Sequence, residues 1–337
     1  MRADYRVAII SPGQDTAGIG ARSREALVTH VPGIDVVAVR SSDNYLRFPF
    51  HHNWDWGLVE RLAADADLIH LHNHVIDRLL PYIRRTPSVW HHHGTIFREE
   101  PERHLREAAA LDMVTCVSTL DLTVYDPSIR WLPSPINVDW MASLRRKLYQ
   151  PSERVRILHA PTNRAVKHTE LFIETIRTLK ARGLPVDGML IEGHTWDDTL
   201  KMKAAHGDIL FDQLILGYGQ NSLEAWAMGI PVVAGATAPT EKIMRTRLGS
   251  LPYYRATPAD LAKRLTELIT SADARAEAAG RGHEYVRRWH DNPRSAEAHL
   301  EIYAEAAARK GRTVPVQVES DQWPSVQSAE PPAALPA

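Results

Sequence analysis

Cysteine is almost missing: Cys116 stands alone among 337 residues. That excludes a disulfide framework and any cysteine-rich zinc module, and it points to a reducing, cytoplasmic setting. Long apolar runs are also lacking. The opening MRADYRVAII has no stretch suited to a secretory leader. No segment reaches the roughly 20 apolar residues of a membrane span, so no integral membrane segment is expected. Charge of one sign is not in excess, since 40 Lys and Arg meet 41 Asp and Glu, a formal net charge of −1. A chain so balanced lacks the field of a protein that coats nucleic acid, although a local basic groove is compatible with it. Hydrophobic residues make up 44%, and the length suits two medium domains better than one.

The positive pattern is short apolar runs alternating with longer amphipathic ones. Expected strands are Arg6–Ile10, Asp35–Val39, Asp67–Leu71, Ser88–His92, Met113–Val117 and Arg130–Leu132. A second series is Val155–Ala160, Gly188–Glu192, Ile209–Phe211, Pro231–Ala234 and Leu251–Tyr254. Helical stretches lie between them at Ala21–His30, Val75–Arg84, Lys167–Arg182, Ser222–Gly229 and Thr257–Ser271. Such alternation implies α/β architecture with parallel sheets covered on both faces. Two series imply two Rossmann-like, doubly wound domains, residues 1–147 and 148–291. Pro293 divides the helical pattern of residues 274–310, and the second helix, about 292–309, is expected to pack back on the first domain. Residues 312–337, rich in Pro, Ala, Ser and Gln, read as a disordered tail.

Ligands of doubly wound sheets sit beyond the carboxyl ends of the strands. After the first strand comes Ser11–Gly20, with glycines at 13, 18 and 20 before a helix, a turn able to approach an anion. After the seventh comes Pro161–Lys167, where Arg164 offers a planar fork and Lys167 a point charge near a helix start. In Asp208–Ala234 a glycine-bearing loop opens a short helix expected to hold Asn221, Ser222 and Glu224 in its first turn. Loop amides there can hold phosphates, and the carboxylate can accept the hydroxyls of a ribose or simply complement the helix dipole.

Gly217–Ala234 resembles the nucleotide-sugar signature of GT-B glycosyltransferases, particularly the retaining family 4 group, whose usual form is E-G-F-G-x-x-x-x-E-A-M-A-x-G-x-P-V-V. Asp67–His72 resembles that group's D-x-x-H-x-H strand, His93-Gly94 its H-G step and Val117-Ser118 its V-S step. Trp131–Asp139 resembles the stretch closing its first domain. Ala160–Thr169 is similar to its donor-phosphate loop, with His168 in place of a glycine, and Arg281–Tyr303 to its terminal helices. The likeness covers about residues 5–308.

The resemblance implies two domains facing a central cleft, and transfer of a sugar from a nucleotide-diphosphate donor with retention and without a metal. Arg164 and Lys167 would hold the diphosphate, Glu224 the ribose, and Gly219 with the amides of Asn221, Ser222 and Leu223 a phosphate. Gly18 and Gly20 would line the cleft from the first domain, and His93 would touch the transferred sugar. No cofactor is implied besides the nucleotide sugar itself; the acceptor is a small molecule, polysaccharide, protein or modified DNA. One departure stands out. The first glutamate of the family's pair is here Leu216, with Asp212 and Gln213 nearby as alternative polar contacts.

Two other groups of residues invite chemistry. His70, His72 and His74 share a strand face, and His91, His92 and His93 end another strand. Such a cluster is compatible with a metal-dependent hydrolase, although no H-E-x-x-H or D-x-H-x-D accompanies it. In His51–Trp56, Trp54 and Trp56 are candidates for stacking on an acceptor, with His72 beside them, while packing is the commoner use of an indole. A non-catalytic sugar- or nucleotide-binding protein is the remaining alternative.

Overall fold

A computed structural model describes residues 5–42, 46–49 and 52–318. Its elements follow in chain order β1 (Tyr5–Gln14), α1 (Ile19–His30), β2 (Ile34–Ser42), β3 (His52–Asn53), α2 (Trp56–Asp65), β4 (Leu68–His72), α3 (Leu80–Ile83), β5 (Ser88–His92), α4 (Thr95–Glu99), α5 (Pro101–Ala110), β6 (Val114–Val117) and β7 (Arg130–Trp131). Then come α6 (Val138–Leu148), β8 (Val155–His159), α7 (Thr169–Ala181), β9 (Val186–Leu190), α8 (Trp196–His206), β10 (Ile209–Phe211), β11 (Leu216–Gly217), α9 (Gln220–Ala227), β12 (Val232–Ala236), α10 (Ala238–Leu248), β13 (Tyr254–Arg255), α11 (Leu261–Thr270), α12 (Ala272–Trp289) and α13 (Asn292–Arg309). His51 and residues 319–337, part of the expected tail, lie outside the described residues; 313–318 carry neither helix nor strand.

The chain divides into two compact units. Among the described residues one comprises 5–135 with 289–318, the other 136–288. The first unit is a parallel sheet in the order β3-β2-β1-β4-β5-β6-β7. Its central strands are buried on both faces, which is why β4 and β5 read as continuous runs rather than alternating ones. One face packs Ile69, Leu71 and Trp90 against Val59, Ala63 and Ala108 of α2 and α5. α13 covers the other face, against α1, β5 and β6. Pro293 begins that helix instead of kinking it, because the first turn needs no proline N–H.

The second unit has the order β11-β12-β10-β8-β9, with β13 pairing β12. Its core joins Ile157, Phe172, Phe211, Val233 and Leu265. β11 runs antiparallel to β12, an exception to the parallel rule of both sheets. Pro252 shortens the strand expected at 251–254 to two residues, since proline donates nothing to a ladder. The helix expected at 75–84 is reduced to a 3-10 turn and the four residues of α3, with Pro81 inside.

The boundary expected at residue 147 falls at 135 instead. α6 belongs to the second unit because it packs on α8 and α9. Its basic end is docked, not a linker: Arg145 donates to the Ala204 carbonyl at 2.7 Å and lies over the Tyr149 ring. No described helix is long and apolar enough to cross a membrane.

In the second unit α12 passes so near the Trp226 indole that a Cβ on Gly282 would stand 2.0 Å from its ring. Trp226 is fully buried among Tyr218 and Tyr285 and has nowhere to retreat. Gly282→Ala is therefore expected to destabilise the protein by about 1–3 kcal/mol, the usual range for overpacking. Urea unfolding checks this, and a midpoint equal to that of the parent rejects it.

Candidate functional site

In each sheet the chain leaves one strand pair in opposite directions, and that switch point is where ligands of open α/β sheets bind. In the second unit it lies between β8 and β10. His159, the last residue of β8, donates Nδ1–H to the Phe211 carbonyl at 3.0 Å and accepts from the Thr169 hydroxyl at 2.9 Å. It thereby ties β8, β10 and the start of α7 together. Burial lowers its pKa to about 4, so the ring stays neutral and keeps these two roles. His168, where the resembled loop has glycine, adopts a left-handed φ of 55°.

Lys167 and Asp212 meet at this point. The Asp212 carboxylate accepts from Lys167 Nζ at 2.5 Å, Gly219 N at 2.8 Å and Ser222 Oγ at 2.7 Å. It is buried, yet these donors and the lysine charge hold its pKa below the usual carboxylate range. Gly219 permits the close approach, since a Cβ there would lie 3.3 Å from Lys167 Nζ and 3.4 Å from Asp212 Oδ2. An ammonium has three protons, so Lys167, with a side chain 14% exposed, keeps two beyond the one given to Asp212. Asp212 thus anchors Lys167 and the start of α9.

Glu224 lies in the second turn of α9, not the first. Its oxygens accept from Trp196 Nε1 at 2.9 Å and from Lys203 Nζ at 2.6 Å. Lys203 is fully buried and also donates to Asn221 Oδ1, whose amide donates to the Ala160 carbonyl. The carboxylate is locked in place by a buried ion pair. Lys203 escaped the sequence reading because one lysine on an amphipathic helix looks like any solvated cation. The Ser222 and Leu223 amides, expected to face a phosphate, donate instead to the Gly219 carbonyl. Arg164 is turned elsewhere: its guanidinium forks onto Glu192 at 2.9 and 2.7 Å and reaches Glu170 at 2.8 Å, half exposed.

In the first unit the switch point lies between β1 and β4. The start of α1 is filled by the chain's own anion, since Asp15 accepts from the Gly20 and Ala21 amides at 2.8 and 3.2 Å. Gly18 has φ 70°, and a Cβ there would lie 2.6 Å from the Phe48 ring, so packing alone demands glycine. His72, the last residue of β4, His91 near the end of β5 and His93 just after it gather together. His93 spends both ring nitrogens inside the protein, on Ser118 Oγ and on His72 Nδ1, so its ring has no nitrogen left for a sugar. His92 faces the opposite side among Trp90, Phe97 and His104, as strand parity requires. Nitrogens of His70, His72 and His91 lie within 4.8 Å of one another, a possible metal-ligand group. Both nitrogens of His70 and of His91 are already hydrogen-bonded, however, and ligation would break those bonds. Trp54 and Trp56 stack edge to face at 5.0 Å and pack, half buried, on the apolar cluster of this unit.

No family model and no curated protein sequence matches the chain. Solved structures do. An alpha-glucosyltransferase in complex with UDP-glucose and DNA containing an abasic site aligns over 88% of this chain and 98% of its own, at 10% identity and TM-score 0.62. HepE of Anabaena in complex with UDP gives 88% and 98%, 14% identity and 0.59. Sucrose-phosphate synthase from Thermosynechococcus elongatus gives 90% and 99%, 15% identity and 0.56. The fold is GT-B, with two Rossmann-like α/β units.

The buried histidines make the first unit sensitive to acid. Burial, with smaller contributions from neighbouring rings, lowers His93 to about 3 and His70, His72 and His91 well below the usual value; burial also brings His290 and His299 to about 4. The folded pKa values lie below the unfolded value of about 6.5, so the unfolded chain binds the extra protons. Their contribution to stability is whole above that value and is lost as pH falls through 6 towards 4. Asp15, raised by burial to about 6, acts in the opposite sense, but as one group against several. Thermal unfolding should therefore show Tm dropping steeply between pH 7 and pH 5; a flat profile contradicts the neutral cluster.

Proposed function

We propose that the chain is a glycosyltransferase taking a sugar from a nucleotide-diphosphate donor, the diphosphate being held in the second unit by Lys167 at the start of α9. The observation that carries this is the convergence of Lys167, the Gly219 amide and the Ser222 hydroxyl at the switch point, ordered around buried Asp212. The GT-B fold adds to it, as do structural neighbours solved in complex with UDP or UDP-glucose. Glu224 is the ribose ligand in this reading. Lys203 and Trp196 set the orientation of its two oxygens.

Catalysis then rests on stabilising the charge that grows on the departing diphosphate. Lys167 does this with the two ammonium protons not given to Asp212, and the α9 dipole adds to it. No divalent ion is required in that scheme. Arg164 joins the site only by leaving Glu192 and Glu170, an exchange of one set of anions for another. Retention of configuration rests on the motif resemblance. The acceptor belongs to the first unit, and modified DNA is the acceptor favoured by the likeness to an enzyme bound to DNA.

Lys167→Met should slow transfer by roughly 10²-fold or more, the usual loss when one charge-stabilising donor is removed. Removing the lysine leaves buried Asp212 with the Gly219 and Ser222 donors but no counter-ion, so a lowered Tm is expected as well, and turnover is compared well below that Tm. The parent enzyme should keep its rate after dialysis against EDTA. Unchanged turnover in the variant removes Lys167 from the site, and loss of parental activity in EDTA removes the metal-free scheme.

Glu224→Gln leaves Lys203 buried without its counter-ion, a defect that typically costs about 3–5 kcal/mol. Its expected signature is a lowered Tm together with a smaller thermal shift on adding UDP. An unchanged Tm contradicts the buried pair.

A further inference from the structure

Six buried side chains of the first unit form one continuous chain of hydrogen bonds. Tyr303 Oη lies 2.9 Å from His70 Nδ1, and His70 Nε2 lies 3.1 Å from His91 Nδ1. His91 Nε2 is 3.0 Å from Ser118 Oγ, which also meets His93 Nδ1, and His93 Nε2 is 2.9 Å from His72 Nδ1. The last nitrogen, His72 Nε2, is buried and has no hydrogen-bond partner among the described residues.

A neutral imidazole has one N–H and one lone pair, and a hydroxyl has one proton and two lone pairs, so three proton arrangements satisfy every contact. In one of them Ser118 accepts from both His91 and His93, which orphans its own hydrogen and the His72 Nε2 lone pair; the other two run in a single direction along the chain. In the first of these two, the Tyr303 hydroxyl donates to His70 and each group donates onward. That leaves a single group unmatched, the His72 Nε2–H. In the second, His72 Nδ1–H begins the chain in the opposite direction. That leaves two unmatched, the His72 Nε2 lone pair and the Tyr303 hydroxyl hydrogen, which has no other acceptor among the described residues. Each orphaned buried polar group is costly, so the arrangement that starts from Tyr303 prevails.

Two further observations concern the place of His72. It ends β4, which pairs with β1 at the switch point of its sheet, whereas His93 follows β5 one strand away. Asn73, the next residue, is held in the left-handed region at φ 59°. Its Nδ-bearing side chain accepts the His93 amide through Oδ1 at 2.8 Å, and its own N–H binds the His91 carbonyl. Asparagine adopts this region readily, and the turn it makes fixes the backbone just beyond His72.

We propose that His72, held as its Nε2–H tautomer by the Tyr303-to-His93 chain, is the neutral donor that the first unit offers to an oxygen of the sugar substrate. The ligand rests on the glycosyltransferase reading; the tautomer does not. His93, Ser118, His91, His70 and Tyr303 are positioning residues, acting through His72.

Side-chain ¹⁵N NMR of the histidine rings in the full chain tests both parts. In the ligand-free protein at pH 7.5, His72 should be protonated at Nε2 and bare at Nδ1. Tyr303→Phe, which leaves both single-direction arrangements with two orphans, should turn that signal into a mixture of tautomers; a role confined to packing would not. UDP-glucose should shift the His72 Nε2 resonance, and UDP alone should not. A His72 ring that is ionised, protonated at Nδ1 or bound to a stoichiometric metal overturns the chain. Binding of UDP-glucose that leaves His72 unshifted overturns the sugar contact and leaves the donor reading standing. If neither UDP nor UDP-glucose binds, the donor reading fails and takes the sugar contact with it, whatever the tautomer.

Discussion

The second unit's site is organised by one carboxylate placed where a helix presents unpaired donors. Asp212 stands at the end of β10 and gathers the first residues of α9 and the Lys167 ammonium. Without it a lysine and a helix start would face each other across a gap, each repelling the other's positive end. With it they form a small ordered array whose charge is half neutralised, and Lys167 has protons to spare. Everything else in the unit follows from that placement. Gly219 must lack a side chain, β11 turns back against β12 to bring the loop round, and His159 binds β8, β10 and α7 at the same level.

The first unit solves a similar problem without charge. It has Asp15 at the start of α1, but its main polar assembly is made of neutral rings. Desolvation is the reason these rings stay neutral: so many imidazoles packed together, with no carboxylate among them, have no means of stabilising an imidazolium. A neutral ring offers one donor and one acceptor, whereas an imidazolium offers two donors and no acceptor, so only neutral rings can be linked head to tail. The polar assembly of the second unit is charged, and that of the first is neutral.

Much of the architecture was legible in the chain. Short apolar runs alternating with amphipathic ones marked ten of the parallel strands within a few residues, because a strand buried on both faces must be apolar throughout. Most of the elements missed are of another kind. β3 and β11 have two residues each, α4 has five, and α8 and α10 show little apolar periodicity; α2, α5 and α6 went unnamed although each is amphipathic. The domain boundary was misplaced because Arg145–Lys147 before Pro151 looks like a solvated linker, and only the packing of α6 on α8 and α9 reveals it as docked.

The same division runs through the candidate site. Strand-end position and residue type brought Lys167, Ser222, Glu224, His72 and His93 to attention from sequence alone, since the carboxyl ends of parallel strands are where a sheet of this kind meets its ligands. Which partner each would choose was not encoded locally. That Asp212 answers Lys167, that buried Lys203 answers Glu224, and that Tyr303 of the last helix sets the first link to His70 are matters of residues 45, 21 and 233 positions apart. Hydrogen-bond partners are decided by which buried polar groups are left facing one another after the apolar faces have packed. Tertiary structure alone settles that.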